Sequence, residues 1–137
     1  MVERTFMMIK PDGVARGKIG EIIQRIEHKG YVITAIKMVR PTHELLAKHY
    51  AEHLDKPFYP SLVRYMTSGP VVAMIGEGTN IVTGWRMLMG ETNPTLAAPG
   101  TIRGDLGREW SGDAIKNIVH GSDSITAAEY EISLWFS

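Results

Sequence analysis

Apolar and polar residues near the start of the chain alternate in a pattern that predicts a strand, a helix and a second strand. The continuous apolar run at 5–9 is typical of a buried strand, and Pro11 ends it because proline cannot donate to a sheet. Isoleucines then recur at i, i+3, i+4 and i+7 from Ile19, the apolar stripe of an amphipathic helix that Gly30 closes. The β-branched stretch 31–39 predicts the second strand.

The rest of the chain continues this alternation, with one long irregular stretch before the last strand. In order, the pattern predicts a helix capped by Thr42, a short helix at 60–67, a strand at 71–75 and a helix capped by Asn80 and closed by Gly90. A strand at 117–120 follows, and residues 126–137 supply a closing helix and tail. Residues 91–116 show no clear periodicity. An irregular segment of that length is either functional or contains an unrecognised element.

This order of elements is the split βαβ pattern. It predicts one α+β domain over residues 1–137, with a ferredoxin-like (βαββαβ) antiparallel sheet and helices on one face. The helices predicted between 42 and 68 are an added helical hairpin.

The composition excludes several classes of partner and of chemistry. The 15 basic and 15 acidic side chains cancel, so we expect no global field that attracts nucleic acid or an anionic membrane. The absence of cysteine excludes disulfides and thiol catalysis. No segment has the pattern of a signal peptide or a membrane span, so we expect a soluble, cytoplasmic protein.

The stretch N-I-V-H-G-S-D-S at 117–124 places His120 at a strand end, just before a helix that Asp123 or Ser124 can cap. Backbone N–H groups at a helix N-terminus favour anions, and a neutral imidazole is a good nucleophile near neutral pH. Our hypothesis is that His120 is the nucleophile of a phosphoryl transfer. The alternative is an ordinary hydrogen-bonded core histidine.

Transfer of a phosphoryl group also requires cations and hydrogen-bond donors around its oxygens. Candidates lie in loops or at the ends of elements: Lys10, Tyr50, Arg86, Thr92, Arg103 and Asn117. Phe58 is a candidate surface for stacking a base of any type.

Two familiar phosphate-binding motifs are incomplete. The stretch G-V-A-R-G-K at 13–18 resembles a Walker A loop, but Ile19 stands where Ser or Thr is needed. The stretch G-E-G at 76–78 lacks the third glycine of a dinucleotide fingerprint. If the chain binds nucleotides, we expect it to use neither motif.

Several short motifs in order resemble the nucleoside diphosphate kinase family, and the resemblance extends over nearly the whole chain. They are I-K-P-D-G near the start, P-F-Y at 57–59, S-G-P-V-V-A-M at 68–74, G-E-T-N-P at 90–94, P-G-T-I-R-G-D at 99–105 and the His120 stretch.

The resemblance implies a site, residue by residue. His120 corresponds to the histidine that is phosphorylated, Glu131 to the carboxylate that orients it with Ser122 alongside, and Lys10 completes the catalytic set. Tyr50, Arg86, Thr92, Arg103 and Asn117, together with Lys10, correspond to phosphate and ribose contacts. Phe58 corresponds to the base-stacking residue, and Leu62 to one that helps close the base slot.

The resemblance also implies a mechanism and partners. The γ-phosphoryl of a nucleoside triphosphate passes to His120 and then to a nucleoside diphosphate, with broad base specificity. Mg²⁺ arrives bound to the nucleotide, and the protein has no metal site of its own. A homo-oligomer is expected, a hexamer being favoured and a tetramer possible. The stretch 106–116 is longer than usual for the family, which leaves open whether Ala114 or Ile115 contacts the base.

Two other readings of the sequence belong to different functional classes. His49, Glu52 and His53 match the H-x-x-E-H pattern of inverted zinc peptidases, with both histidines on one predicted helical face. The tripeptide at 103–105, R-G-D, is found in adhesion proteins and would suit a non-catalytic interaction module.

Overall fold

The computed structural model describes residues 1–110 and 116–137. Its centre is a four-stranded antiparallel sheet in the order β2-β3-β1-β4. The strands are β1 (Val2–Ile9), β2 (Val32–Val39), β3 (Val71–Thr79) and β4 (Val119–Gly121). The α+β fold class and the ferredoxin-like arrangement predicted from the sequence are confirmed.

The helices connect these strands and close the chain. They are α1 (Pro11–Ala15), α2 (Ile19–Lys29), α3 (His43–His49), α4 (Tyr59–Met66), α5 (Ile81–Met89), α6 (Ile102–Leu106) and α7 (Ile125–Trp135), and a 3₁₀ turn at Ala51–His53 follows α3.

Helices cover both faces of the sheet. Along β1, Met7 and Ile9 point into a cluster with α2, α5 and α6, whereas Phe6 and Met8 point into a cluster with α3, α4 and α7. Side chains of a strand alternate between faces, so a strand that is apolar throughout needs cover on both. The expected placement of helices on one face therefore holds for α2 and α5, and the added hairpin and closing helix lie on the other.

The predicted helix caps are confirmed at two positions and wrong at a third. The hydroxyls of Thr42 and Ser124 accept hydrogen bonds from backbone N–H groups in the first turns of α3 and α7. Asn80 makes no side-chain cap, and its φ of 55° is left-handed. The carboxylate of Glu3 instead accepts the N–H of Val82, at 3.2 Å.

Three local predictions also differ from the structure. Residues 11–15, where Pro11 was expected only to end the first strand, form α1, because Pro11 occupies a helix start, where its missing N–H costs nothing. The irregular stretch contains α6, which Thr101 caps. The helix after Thr42 ends at His49, so His53 belongs to a separate 3₁₀ turn.

Two predictions from the sequence, the cellular location of the protein and the residue that forms the second wall of a base slot, are still predictions. No helix among residues 1–110 and 116–137 is long and apolar enough to cross a membrane. Ala114 and Ile115, the two candidates for the second wall of a base slot, lie outside the described residues.

Candidate active site

His120 is the middle residue of β4, which is an edge strand of the sheet. Its strand β4 pairs with β1, which places His120 opposite Met8, and the indole N–H of Trp85 donates to the His120 carbonyl at 3.2 Å. Two residues earlier, Ile118 has a φ of 75°, which is unusual for a β-branched residue. The backbone just before His120 is therefore strained, as is common at functional sites.

The His120 ring is held by one carboxylate. Its Nε2 lies 3.0 Å from Oε1 of Glu131, and the Ser122 hydroxyl donates to the same oxygen at 2.7 Å. Burial by itself would raise the pKa of Glu131, but the hydrogen bond and charge of His120, with smaller effects of His49 and Ser122, lower it below its usual value. An ionised carboxylate accepts but cannot donate, so in the neutral form of the imidazole Nε2 carries the proton and Nδ1 has the lone pair.

A cavity of about 1140 Å³ opens beside His120. It is lined by most of the residues that the sequence nominated: His120, Glu131, Lys10, Tyr50, Arg86, Thr92, Arg103 and Asn117. These residues come from both ends of the chain, from the end of α3 and from the α5–α6 region. The fold therefore brings a histidine, several cations and several hydrogen-bond donors into a single space.

The ammonium group of Lys10 is buried at the end of β1. Lys10 is 7% exposed, and its Nζ donates to Oδ1 of Asn117 at 2.6 Å, while Nδ2 of Asn117 donates to the Thr92 carbonyl at 3.0 Å. Burial and, to a smaller extent, the charge of Arg103 lower the pKa of Lys10 to about 7, and the charge of Asp12 opposes both. The pKa of the buried Lys10 ammonium is therefore far below that of an exposed lysine.

The guanidinium group of Arg103 connects two separate segments, one at Gly90 and one at 117–119. It donates to the carbonyls of Asn117 at 3.1 Å, Gly90 at 3.0 Å and Val119 at 2.7 Å. Burial, followed by the charge of Arg86, lowers the pKa of Arg103 to about 10, so the group stays charged at neutral pH. Arg103 thus supplies positive charge to the cavity while holding its wall together.

Arg86 is the more accessible of the two arginines. Its Nη1 pairs with Oδ1 of Asp123 at 2.7 Å, and the two side chains are 47% and 85% exposed. An exposed pair of this kind exchanges partners readily because water already solvates both groups.

Three nominated residues do not line the cavity. Ser122 is buried behind Glu131. Phe58 is exposed and packs against the ring of His53, which does line the cavity, with centroids 5.4 Å apart. Leu62 is 6% exposed and belongs to the core cluster of α3, α4 and α7, so little of its side chain can reach a base.

Sequence reasoning missed a second imidazole beside the first. The rings of His49 and His120 lie 4.7 Å apart, and the indole N–H of Trp135 donates to Nδ1 of His49 at 3.0 Å. Burial, and then the charge of His120, lower the pKa of His49 to about 3, so it is neutral. These contacts join α3, β4 and α7, and no local signal in the sequence indicates them.

The geometry does not support a zinc peptidase. Within the described part of the chain, the one group of side chains spaced to hold a metal ion is His49, His120 and Glu131, not the H-x-x-E-H pattern. His49 and His53 lie on different elements, and the Trp135 bond occupies one nitrogen of His49. The predicted common face of the two histidines is therefore wrong.

The R-G-D tripeptide is not presented as an adhesion motif. Arg103 is 7% exposed and its guanidinium donates to backbone carbonyls. Asp105 pairs with Arg25 at 2.9 Å and accepts the N–H of Gly100. Both charged side chains of the tripeptide therefore make contacts within the chain, Arg103 in a buried position and Asp105 at the surface.

The fold and cavity together define an α+β protein with a basic pocket around a fixed histidine. The family model described as nucleoside diphosphate kinase matches residues 3–137. A nucleoside diphosphate kinase of Moorella thermoacetica is 58% identical over 136 residues, 99% of this chain and 95% of the relative. The human nucleoside diphosphate kinase B is 55% identical over 135 residues, 98% of this chain and 86% of the relative.

Solved structures agree with this match. A halophilic nucleoside diphosphate kinase from Halobacterium salinarum, in complex with CDP, has a TM-score of 0.94 and 50% identity, covering 100% of this chain and 89% of that one. An apo nucleoside diphosphate kinase from Encephalitozoon cuniculi has a TM-score of 0.92 and 48% identity, covering 98% and 88%. The chain belongs to the nucleoside diphosphate kinase family, whose members are phosphotransferases.

Proposed function

We propose that the protein transfers the γ-phosphoryl group of a nucleoside triphosphate to a nucleoside diphosphate by a ping-pong reaction through His120. The observation that supports this most is the Glu131–His120 hydrogen bond, at 3.0 Å, at the edge of a cavity that contains buried cations. That bond leaves Nδ1 of His120 as the unprotonated, nucleophilic nitrogen.

In the first half-reaction, the Nδ1 lone pair attacks the γ-phosphorus and the bond to the β–γ bridging oxygen breaks. The electron pair of that bond stays with the departing nucleoside diphosphate. The imidazole ring becomes positively charged, and the Glu131 carboxylate stabilises that charge through Nε2–H. In the second half-reaction, a terminal oxygen of another diphosphate attacks the phosphorus and the Nδ1–P bond breaks. The electron pair of that bond returns to Nδ1, so His120 becomes neutral again.

The surrounding side chains are proposed to hold the phosphate oxygens in line. Lys10, Arg86 and Arg103 supply charge, while Tyr50, Thr92 and Asn117 supply hydrogen bonds to phosphate or ribose. Arg86 is the group most free to bind directly, by exchanging Asp123 for phosphate. Arg103 uses three of its five N–H donors on backbone carbonyls, which leaves its charge and two N–H groups to act on phosphate.

Broad base specificity would follow from stacking without hydrogen-bond readout. Phe58 is 44% exposed and presents an aromatic face that any base can cover. The contact of Leu62 with a base remains a prediction, as does the cytoplasmic location.

Mg²⁺ is proposed to enter with the nucleotide. The side chains that could together hold a metal ion, among the described residues, are two histidines and one glutamate. Mg²⁺ prefers oxygen ligands and retains water, so this set does not suit it as a resident ion. When bound to the nucleotide, Mg²⁺ would neutralise phosphate charge, while the side chains of this chain orient the nucleotide.

We also propose a homo-oligomer, with a hexamer favoured and a tetramer possible. Strand β2 is an edge of the sheet and exposes three apolar side chains: Val32 at 60%, Ile36 at 51% and Met38 at 57%. An exposed apolar edge strand is a template for pairing with another copy.

Replacement of Ile36 by glutamate is expected to dissociate the assembly, because a charge would be buried at the paired edge. Light scattering after size exclusion would show a multiple of the 15.2 kDa chain for the wild type and a smaller species for the variant. Lys37→Glu, on the neighbouring position of the same strand, is the control for charge alone. A monomeric wild type at micromolar concentration would rule out the assembly.

The function itself is tested by incubation with γ-labelled ATP in the absence of an acceptor. The protein should become labelled in an acid-labile, base-stable linkage, and unlabelled nucleoside diphosphate should remove the label as triphosphate. A ternary mechanism, in which transfer requires both nucleotides at once, would leave the protein unlabelled.

Glu131→Gln is expected to lower kcat about 100-fold, which corresponds to roughly 3 kcal/mol of transition-state stabilisation. The physical reason is the loss of the negative charge that stabilises the imidazolium ring. Glu129→Gln, two positions earlier on α7, is the matched control, since Glu129 pairs with Arg4 on the surface. Equal kcat values for the two variants in a steady-state exchange assay would contradict the role given to Glu131.

A further inference from the structure

His49, the last residue of α3, lies beside the nucleophile, but the reaction described above gives it no part. Its ring meets the His120 ring edge to face, with the ring centroids 4.7 Å apart and the planes at 65°. A ring nitrogen of His49, one of His120 and a carboxylate oxygen of Glu131 all lie within 4.8 Å of one another. His49 also lines the cavity. It therefore packs directly on the group whose orientation decides the transfer.

The hydrogen bond to Glu131 does not by itself fix the plane of the His120 ring. It holds Nε2 at 3.0 Å from Oε1, but the ring can still rotate about the line that joins Cβ to Nε2. Nδ1 lies off this line, so such a rotation moves the nucleophilic lone pair. A contact with the side of the ring is needed to stop it. The ring of His49 makes that contact, and the more distant ring of Phe6, at 5.9 Å between centroids, adds to it.

His49 is itself held by two buried aromatic side chains. The indole N–H of Trp135 on α7 donates to Nδ1 of His49 at 3.0 Å. Phe6 on β1 stacks on the Trp135 ring, with centroids 5.4 Å apart, and meets the His49 ring edge to face at 6.0 Å. Phe6 and Trp135 are almost completely buried. The core of the protein thus fixes the position of the His49 ring.

The bond from Trp135 also keeps His49 uncharged. An indole N–H can only donate, so Nδ1 of His49 must keep its lone pair and the ring carries its single proton on Nε2. Burial and then the charge of His120 lower the pKa of His49 to about 3, in agreement with this bond. A charged His49 would oppose the positive charge that forms on His120 during transfer. A neutral ring supplies packing without that cost.

We propose that His49, anchored by Trp135, is a positioning residue that fixes the plane of the His120 ring and so directs Nδ1 at the incoming phosphorus. This role rests on the proposed function of the cavity and adds to it a residue that acts through His120. The task requires a ring at position 49, whereas the acceptor at Nδ1 serves only to anchor that ring. Substitution can separate these two properties.

His49→Asn removes the ring but keeps an acceptor for Trp135, since the side-chain oxygen of Asn takes nearly the place of Nδ1. Formation of the phosphoenzyme at saturating nucleotide should slow about tenfold, because a loosely held nucleophile is seldom aligned. The dissociation constant of ADP, which has no γ-phosphoryl group to transfer, should stay within about twofold, because the positioning acts on the reacting step alone. Rapid quenching with γ-labelled ATP and calorimetric titration with ADP measure the two quantities. His43→Asn, the same change at the exposed start of α3, is the matched control.

His49→Phe is the complementary variant, because it restores a ring and leaves the Trp135 N–H without its acceptor. Its melting temperature should fall, since a buried donor is left unpaired. Its rate of phosphoenzyme formation should nevertheless recover to within about threefold of the wild type, because the edge-to-face contact with His120 returns. A merely structural role predicts the opposite order, with Phe slower than Asn. That order would overturn the proposal, as would a wild-type rate in the folded Asn variant.

Trp135→Phe tests the anchor and remains informative if the Asn variant does not fold. It keeps an aromatic ring against Phe6 but frees His49, so phosphoenzyme formation should slow about threefold. In the double variant with His49→Asn there should be no further loss, because both changes act through the same ring. Losses that multiply, or a wild-type rate in folded Trp135→Phe, would contradict the proposal. Failure of the wild type to form a phosphoenzyme would instead refute the proposed function, so the two failures are distinguishable.

Discussion

Replacement of His120 by alanine is expected to abolish formation of the phosphoenzyme and to reduce nucleotide exchange by at least about 10⁴-fold. The variant removes the nucleophile, and no other described side chain in the cavity combines a lone pair with the Glu131 hydrogen bond. Labelling with γ-labelled ATP, followed by separation under alkaline conditions, measures the effect directly.

The fold should survive this change, since His120 is a partly exposed residue at the end of a short strand. His43→Ala, at the exposed start of α3, is the matched control and should retain full labelling. Label that persists in folded His120→Ala protein would move the nucleophile to another residue.

Replacement of Arg103 by alanine is expected to have the second-largest effect, on stability as well as on exchange. Three backbone carbonyls, those of Gly90, Asn117 and Val119, lose a charged donor at once. Charge-assisted hydrogen bonds contribute about 1.5–3 kcal/mol each, and partial solvation of the carbonyls offsets some of this loss. The free energy of unfolding should fall by about 3 kcal/mol, and nucleotide binding should weaken at least about tenfold.

Urea denaturation and a nucleotide titration measure these two losses separately. Arg103→Lys keeps the charge but cannot reach three carbonyls, so it should recover part of the binding and little of the stability. Arg40→Ala, at an exposed position, is the control. If Arg103→Ala proves as stable as this control, the bracing role assigned to Arg103 is incorrect.

The long elements of the fold could be predicted because their periodicity is local. The isoleucine spacing predicted a helix from Ile19, which is where α2 begins. The apolar run at 5–9 predicted a strand that corresponds to the buried half of β1. The short helices α1 and α6 have five residues each, too few for a helical period to stand out. Pro11 was interpreted as a breaker although it begins a helix, because a proline at a helix start and one after a strand look alike in sequence.

The site was only partly accessible to the same reasoning. Local pattern indicated that His120 lies between a strand and a helix, and the family resemblance nominated Glu131, which lies 3.0 Å from it. The contacts of Tyr65 with Asp12 and of Trp135 with His49 join residues far apart in the chain, so no spacing rule predicts them. The burial of Leu62 could not be predicted, because it depends on how α4 packs against α3 and α7.

The central claim is that Nδ1 of His120 bears the phosphoryl group because Glu131 occupies Nε2. The protein is labelled with ¹⁵N-histidine and phosphorylated, and its ¹⁵N and ³¹P nuclear magnetic resonance spectra are recorded. Together these spectra identify the nitrogen bonded to phosphorus. The expected result is one phosphoramidate, on Nδ1 of His120, with a proton on Nε2. Phosphorus on Nε2, on another histidine or on a serine oxygen would contradict it.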